Sequence, residues 1–188
     1  SIHILRAEMP GPIIGKLVPK AKNTAKILYL IYIVLTVVQM IILFAGGMPF
    51  FDSVVLSFGT AGTGGFGVRA DSIASYSPYL QNVITVFMVL FGINFNIFYL
   101  ILIRRVKSVF KNTELWCYLG LFVFASALIA VNIYPMYGSV EEAVRLSAFQ
   151  TASIMSTTGY ATANFDLWPG LSRSALLLLM FIGASAGS

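Results

Sequence analysis

The sequence predicts an all-α polytopic membrane protein built from repeated units of span, half-helix, loop and span. Three observations predict it. Of 188 residues, 58% are hydrophobic and 10% charged, with a mean hydropathy of +0.86; a soluble domain carries about 25% charged residues. Long apolar stretches alternate with shorter amphipathic ones. A short pattern also occurs twice, as Thr63-Gly64-Gly65-Phe66-Gly67 and Thr157-Thr158-Gly159-Tyr160-Ala161. Each copy follows an amphipathic stretch that itself follows a long apolar one.

The elements follow in order. Residues 1–26 are polar, interrupted by Pro10, Pro12 and Pro19, and read as a water-exposed connector. The first unit covers 27–108. Ile27 to Ala45 carries no charge and approaches the ~20 residues a spanning helix needs. Gly46-Gly47 ends it, and Pro49 suits a helix start, where its missing N–H costs nothing. Residues 49–58 are then long enough for about half a bilayer at ~1.5 Å per residue. The glycine-rich run 59–67 follows, then a polar stretch, and 79–103 is long enough to span again.

The second unit covers 109–188. Its span is 115–134, ended by Pro135. Ser139-Val140-Glu141-Glu142 reads as a capping box, with the Ser139 hydroxyl at the helix start and Glu142 reaching back. A half-helix over 140–154 leads into the second loop, 156–161. Another span starts at Ala175 and is unfinished at Ser188. The chain begins in a polar segment and stops in an apolar one, so it reads as a piece of a longer protein.

Charge placement gives orientation. Of 12 Lys and Arg residues, Arg6, Lys16, Lys20, Lys22 and Lys26 precede the first span, and Arg104, Arg105, Lys107 and Lys111 follow the second. Both groups fall on one side, which the positive-inside rule makes cytoplasmic. Both loops then dip in from outside. The net charge of +5 is therefore topological, with no nucleic-acid footprint. The lone Cys117 excludes an internal disulfide, and neither it nor His3 is assigned a role.

Aligned on Gly65 and Gly159, the copies lie 94 residues apart; Thr63 matches Thr157, Phe66 matches Tyr160, and Ser57 falls on Thr151. Irregular backbone at membrane depth survives only where it is buried in protein or lines a water-filled cavity. Carbonyls facing a common axis can replace the water shell of a cation, and glycine supplies the φ > 0 that turns them inward. Thr63 and Thr157 can add hydroxyl oxygens, and Phe66 or Tyr160 can wedge its loop against neighbouring helices. The negative C-terminal end of each half-helix favours a cation below it. Oxygen ligands without a ring of carboxylates point to a weakly hydrated monovalent ion.

Thr63-Gly64-Gly65-Phe66-Gly67 resembles the Thr-Val-Gly-Tyr-Gly filter of potassium channels, departing at Gly64, where channel filters carry Val. One key glycine per repeat, with different repeats fused in one chain, is similar to the Trk/Ktr/HKT superfamily. Within it, Arg6-Ala7-Glu8-Met9-Pro10-Gly11-Pro12 resembles the linker before the second repeat of the bacterial TrkH family. Gly183-Ala184-Ser185-Ala186-Gly187-Ser188 resembles the start of the glycine-rich break in the third repeat's inner helix. The resemblance covers repeat two and most of repeat three.

The resemblance implies a potassium-translocating subunit of the bacterial inner membrane, K+ as transported ion, and no cofactor or enzyme activity. It implies a K+ filter at Thr63, Gly64, Gly65, Phe66, Thr157, Thr158, Gly159 and Tyr160. It also implies a gate at Gly183, Ser185, Gly187 and Ser188, for which close helix packing by small residues is the other reading. Implied partners are membrane lipid, a second copy as homodimer, and a cytoplasmic TrkA-type nucleotide-binding ring.

Two other classes stay in view. One is a secondary carrier with re-entrant substrate-binding hairpins, which inverted repeats would favour. The other is an intramembrane hydrolase suggested by Gly183-x-Ser185-x-Gly187, although a serine nucleophile needs a nearby base and His3 lies on the connector. Gly62-x-Gly64-x-x-Gly67 matches a dinucleotide fingerprint but lacks the acidic residue about 20 positions on, where Phe87 stands. Asn94 and Asn96, inside a span, can face a pore or hydrogen-bond between helices. Arg145 can touch the outer vestibule or lie satisfied along its helix.

Overall fold

The computed structural model describes residues 21–186. Among the described residues eight α-helices run in order: α1 Ala21–Ala45, α2 Phe50–Ala61, α3 Pro78–Phe91, α4 Phe95–Leu102, α5 Val106–Phe110, α6 Thr113–Tyr137, α7 Val140–Met155 and α8 Gly170–Ala186. Two are long and apolar enough to cross a membrane, Thr24–Ala45 and Thr113–Tyr137, and α3 with α4 is so only as a bent pair, a broken span or a re-entrant loop. α1 shows how such a helix sits. Tyr29, Leu30, Val34, Ile41 and Phe44 are exposed, while the buried Gln39 donates to the Thr60 hydroxyl at 3.0 Å. Apolar outside and hydrogen-bonded polar inside is the pattern a lipid solvent selects.

Four of the eight helices, α3, α4, α6 and α7, start on a side-chain cap that the sequence supplies. Ser77 accepts from Leu80 N, with Pro78 in the first turn of α3. Asn112 caps α6 by accepting from Leu115 N at 3.0 Å, and Ser139 caps α7 by accepting from Glu142 N at 3.5 Å. These side chains satisfy amide donors that a helix start leaves without partners.

The span expected at 79–103 is not one helix. α3 and α4 meet at 86°. Ile93 N turns back to Leu90 O, and the Asn94 side chain restarts the chain as a cap for α4, accepting from Asn96 N at 3.0 Å. The Val89 carbonyl, which Ile93 N would take in a continuous helix, instead accepts the Tyr118 hydroxyl at 3.3 Å. A Cβ at residue 92 would overlap that phenol, so Gly92 makes the room. Asn94 also donates to Glu114 Oε1 at 3.3 Å, so it both caps a helix and bonds across to α6.

Pro135 does not end α6, which continues to Tyr137 and closes at Gly138 with φ 68°. A proline in the last turn removes one intrahelical bond, and the left-handed glycine sets the terminus. α2 extends past the expected residue 58 to Ala61, and α8 begins at Gly170 rather than Ala175. α8 is tied to α6 through Ser172 Oγ, 2.7 Å from Asn132 Oδ1.

α7 is the central element. Its Phe149 and Ala152 join a core with Leu43, Leu56, Ile84 and Tyr160. Its Leu146, Ile154 and Met155 join a second core with Ile129, Trp168 and Leu176. The second half-helix is thereby held between the two copies of the unit.

Candidate functional site: the paired loops

The two half-helices end in the same way, bond for bond. In the first copy Gly62 N pairs with Phe58 O, Thr63 N with Thr60 O and Gly64 N with Gly59 O. In the second, Ser156 N pairs with Ala152 O, Thr157 N with Ile154 O and Thr158 N with Ser153 O. Every donor and acceptor is offset by 94 residues. This is the Schellman closure, which places a left-handed residue just past the helix. Glycine ordinarily takes that place; here threonine does, at φ 50° for Thr63 and 59° for Thr157. Left-handed backbone in a β-branched residue is an outlier that costs ~1–3 kcal/mol and is kept where function requires the geometry. Gly65 (φ 67°) and Gly159 (φ 90°) repeat the handedness two residues on.

The loops touch. A Cβ on Gly65 would overlap the Thr158 carbonyl, so the first loop lies directly on the backbone of the second. Further out, Ile73 N donates to Ala161 O at 3.1 Å, and Ala161 N donates to the Ser72 hydroxyl at 3.3 Å. Ser153 Oγ donates to the Tyr160 carbonyl at 2.6 Å, and the hydroxyls of Ser156 and Thr158 lie 2.7 Å apart. Thr157 Oγ1 donates to Ser156 O at 2.7 Å.

The two aromatics, expected to act alike, do not. Tyr160 is fully buried and its hydroxyl donates to Leu56 O at 3.3 Å, on the other copy's half-helix. It fits there because residue 59 is glycine; a Cβ at that position would overlap the phenol. Phe66 is 80% exposed, with no such groove among the described residues.

Below the loops, towards the end where α6 starts, lies a cavity of about 440 Å³. Thr63 and Thr157 line it, with Gly183, Asn94, Glu114 and Cys117. The C-terminal ends of both half-helices meet it, so their negative dipole ends face the space. The sequence reading gave Glu114 no part, assigned Cys117 none, and left Asn94 between two roles; one side-chain pair, Asn94 with Glu114, now links the bend to this cavity.

Gly183 packs on the end of α7, where its Cβ would lie 3.0 Å from Ile154 O and 3.2 Å from Met155 O. α8 stays helical through Ala186. Of the other proposed gate residues, Ser185 lies on this helical backbone, and Gly187 and Ser188 lie outside the described residues. So do His3 and the Arg6–Pro12 linker.

A polar cluster braces the loops on the opposite side from the cavity. Tyr76 donates to Asp52 Oδ2 at 2.7 Å, at the start of α2. Arg69 stands 3.9 Å from the same carboxylate and 4.1 Å over the Tyr76 ring. Burial, then the Asp52 hydrogen bond and charge, push the Tyr76 phenol up to about 12. Gln81 donates to Tyr76 O at 3.1 Å and accepts from Arg145, whose Nε also bonds Glu141 at 2.9 Å. Arg145 is thus satisfied, and it ties α7 to the outer loop of the first copy.

The fold and these loops define a multi-pass, all-helical membrane protein whose half-helices close on paired strained turns. The chain belongs to the TrkH family of cation transport proteins, whose model matches residues 1–188. It is 32% identical over 192 residues to the Trk system potassium uptake protein TrkH of Salmonella typhimurium. It is 33% identical over 193 residues to the protein of that name from Escherichia coli K12. Each alignment takes in 100% of this chain and 40% of the relative. The crystal structure of the potassium transporter TrkH from Vibrio parahaemolyticus matches with a TM-score of 0.80 at 27% identity, over 88% of this chain and 37% of that one.

Proposed function

We propose that this chain supplies two of the loops that form a K+ selectivity filter in a potassium-translocating membrane subunit, and that it is not an enzyme. One observation carries the reading. Two threonines held in the same strained left-handed turn end two half-helices, and their loops meet at Gly65 and Thr158 above a cavity. Carbonyls of Thr63, Gly64, Gly65, Phe66, Thr157, Thr158 and Gly159 would replace the hydration shell of K+. Tyr160 serves chiefly as the wedge that seats the second loop on α2. The half-helix dipoles favour a cation leaving the loops into the cavity.

The basic connector and the basic segment around Arg104 support a reading in which the cavity faces the cytoplasmic side of the bacterial inner membrane. The loops enter from outside. α1 and α6 start at the same end, so the repeats are parallel and converge on one axis, unlike the inverted pairs that bind carrier substrates. The assembly is a homodimer in lipid, with a TrkA-type nucleotide-binding ring on the cytoplasmic face. The test is ion flux by the full-length protein in liposomes. K+ flux well above Na+ flux is expected; equal flux of the two ions would overturn the reading.

A further inference from the structure

We infer that Glu114, held by Asn94, is the fixed charge that concentrates monovalent cations in the cavity below the loops; the inference rests on the filter reading above. Away from the loops, much of the cavity wall offers a cation nothing. Phe91, Ile97, Leu121 and Met155 contribute apolar wall. The segment that leads into α6 carries Arg104, Arg105, Lys107 and Lys111, whose field at that face repels a cation. A cation that passes Thr63 and Thr157 leaves the dipole ends of the half-helices and meets hydrocarbon and a positive face.

Among the described residues Glu114 is the one carboxylate that lines this cavity. Among the described residues the other acids, Asp52, Asp71, Glu141, Glu142 and Asp166, sit at the opposite ends of the helices. Despite four basic residues within ten positions before it, Glu114 is in neither ion pair of the described residues, Arg69–Asp52 and Arg145–Glu141. Its partner is a neutral amide, Asn94 Nδ2 at 3.3 Å. An amide fixes a carboxylate without neutralising it. The bend between α3 and α4 makes the arrangement possible, because a continuous helix would use Asn94 as an ordinary interior residue and not as a cap beside α6. One negative charge at the inner end of an apolar cavity raises the local cation concentration by a factor that falls as salt screens it.

Cys117 lines the same cavity and is exposed, which makes it a built-in probe. The test uses the full-length protein. In liposomes at low ionic strength, Glu114→Gln should lower K+ current in the cytoplasm-to-outside direction about two- to fivefold. The loss should shrink at 1 M salt, where the Debye length is about 3 Å. K+ over Na+ preference should stay at the wild-type value, and Glu114→Asp should keep most of the current. A second measurement does not require conduction. Cationic and neutral methanethiosulfonates of similar size are reacted with Cys117, with Cys117→Ser as the blank. The cationic-to-neutral rate ratio should fall about two- to fivefold in Glu114→Gln. Wild-type rate ratios and wild-type currents in Glu114→Gln, with K+ preference intact, overturn this site and leave the filter standing. A wild-type protein without K+ preference overturns the filter reading and this site with it.

Discussion

Replacing Gly59 with alanine drives a methyl group into the space held by the Tyr160 phenol oxygen. The clash lies between α2 of the first copy and the loop of the second, where two repeats are locked. Overpacking of this kind costs about 1–3 kcal/mol, partly offset by the ~1 kcal/mol that alanine gains over glycine inside a helix. Tyr160→Phe alone removes a 3.3 Å hydrogen bond to Leu56 O. That carbonyl keeps the Thr60 hydroxyl at 2.7 Å, so the loss is about 0.5–1.5 kcal/mol. In the double variant the obstructing oxygen is gone. The methyl's nearest remaining neighbour is the ring carbon that bore it, at 3.3 Å, which a shift of a few tenths of an ångström relieves. The two changes should therefore compensate, with a coupling of about 1–2 kcal/mol in favour of the pair. Unfolding midpoints of the full-length single and double variants in detergent measure it. Strict additivity would refute the contact between Tyr160 and α2.

Two further outcomes follow from the geometry. The Tyr76 phenol keeps its proton to about 12 in the folded protein, against about 10 in an unfolded chain. Its contribution to stability is therefore complete below about pH 10 and is lost as pH rises from about 10 to 12. Tyr76→Phe should flatten that limb of the pH–stability curve, and an unchanged alkaline loss in the variant would contradict it. At Gly183 the obstructing atoms are backbone, Ile154 O and Met155 O. Gly183→Leu should part α8 from α7, lower stability by about 1–3 kcal/mol and reduce flux, whereas Gly183→Ala should do much less; wild-type stability and flux in Gly183→Leu would contradict the packing.

What was legible in the sequence had a local cause. The apolar spans, the cap at Ser139 and the two Thr-x-Gly-aromatic turns each follow from residues a few positions apart. The missed features depend on distant partners. Gly92 and Asn94 signal a helix break, but a hydrophobic run conceals it until Tyr118 takes the freed carbonyl of Val89, 29 residues before it in sequence. Pro135 looked like a stop because proline usually is one, yet Gly138 sets the end. The different surroundings of Phe66 and Tyr160 were not legible either, because among the described residues only Tyr160 has the other copy's half-helix beside it. Glu114 carried no motif. A single carboxylate in a first helical turn is ordinary until the fold places it at a cavity with both threonines.

In the proposed filter the two glycine turns set ion preference. Serine at residue 65 must adopt φ 67° and place its Cβ on the Thr158 carbonyl, and serine at residue 159 must adopt φ 90°; each strains its loop by ~1–2 kcal/mol or more. The most direct measurement is the K+ to Na+ flux ratio of full-length wild type, Gly65→Ser and Gly159→Ser in liposomes. The ratio should fall in both variants. An unchanged ratio and unchanged flux in both would contradict it.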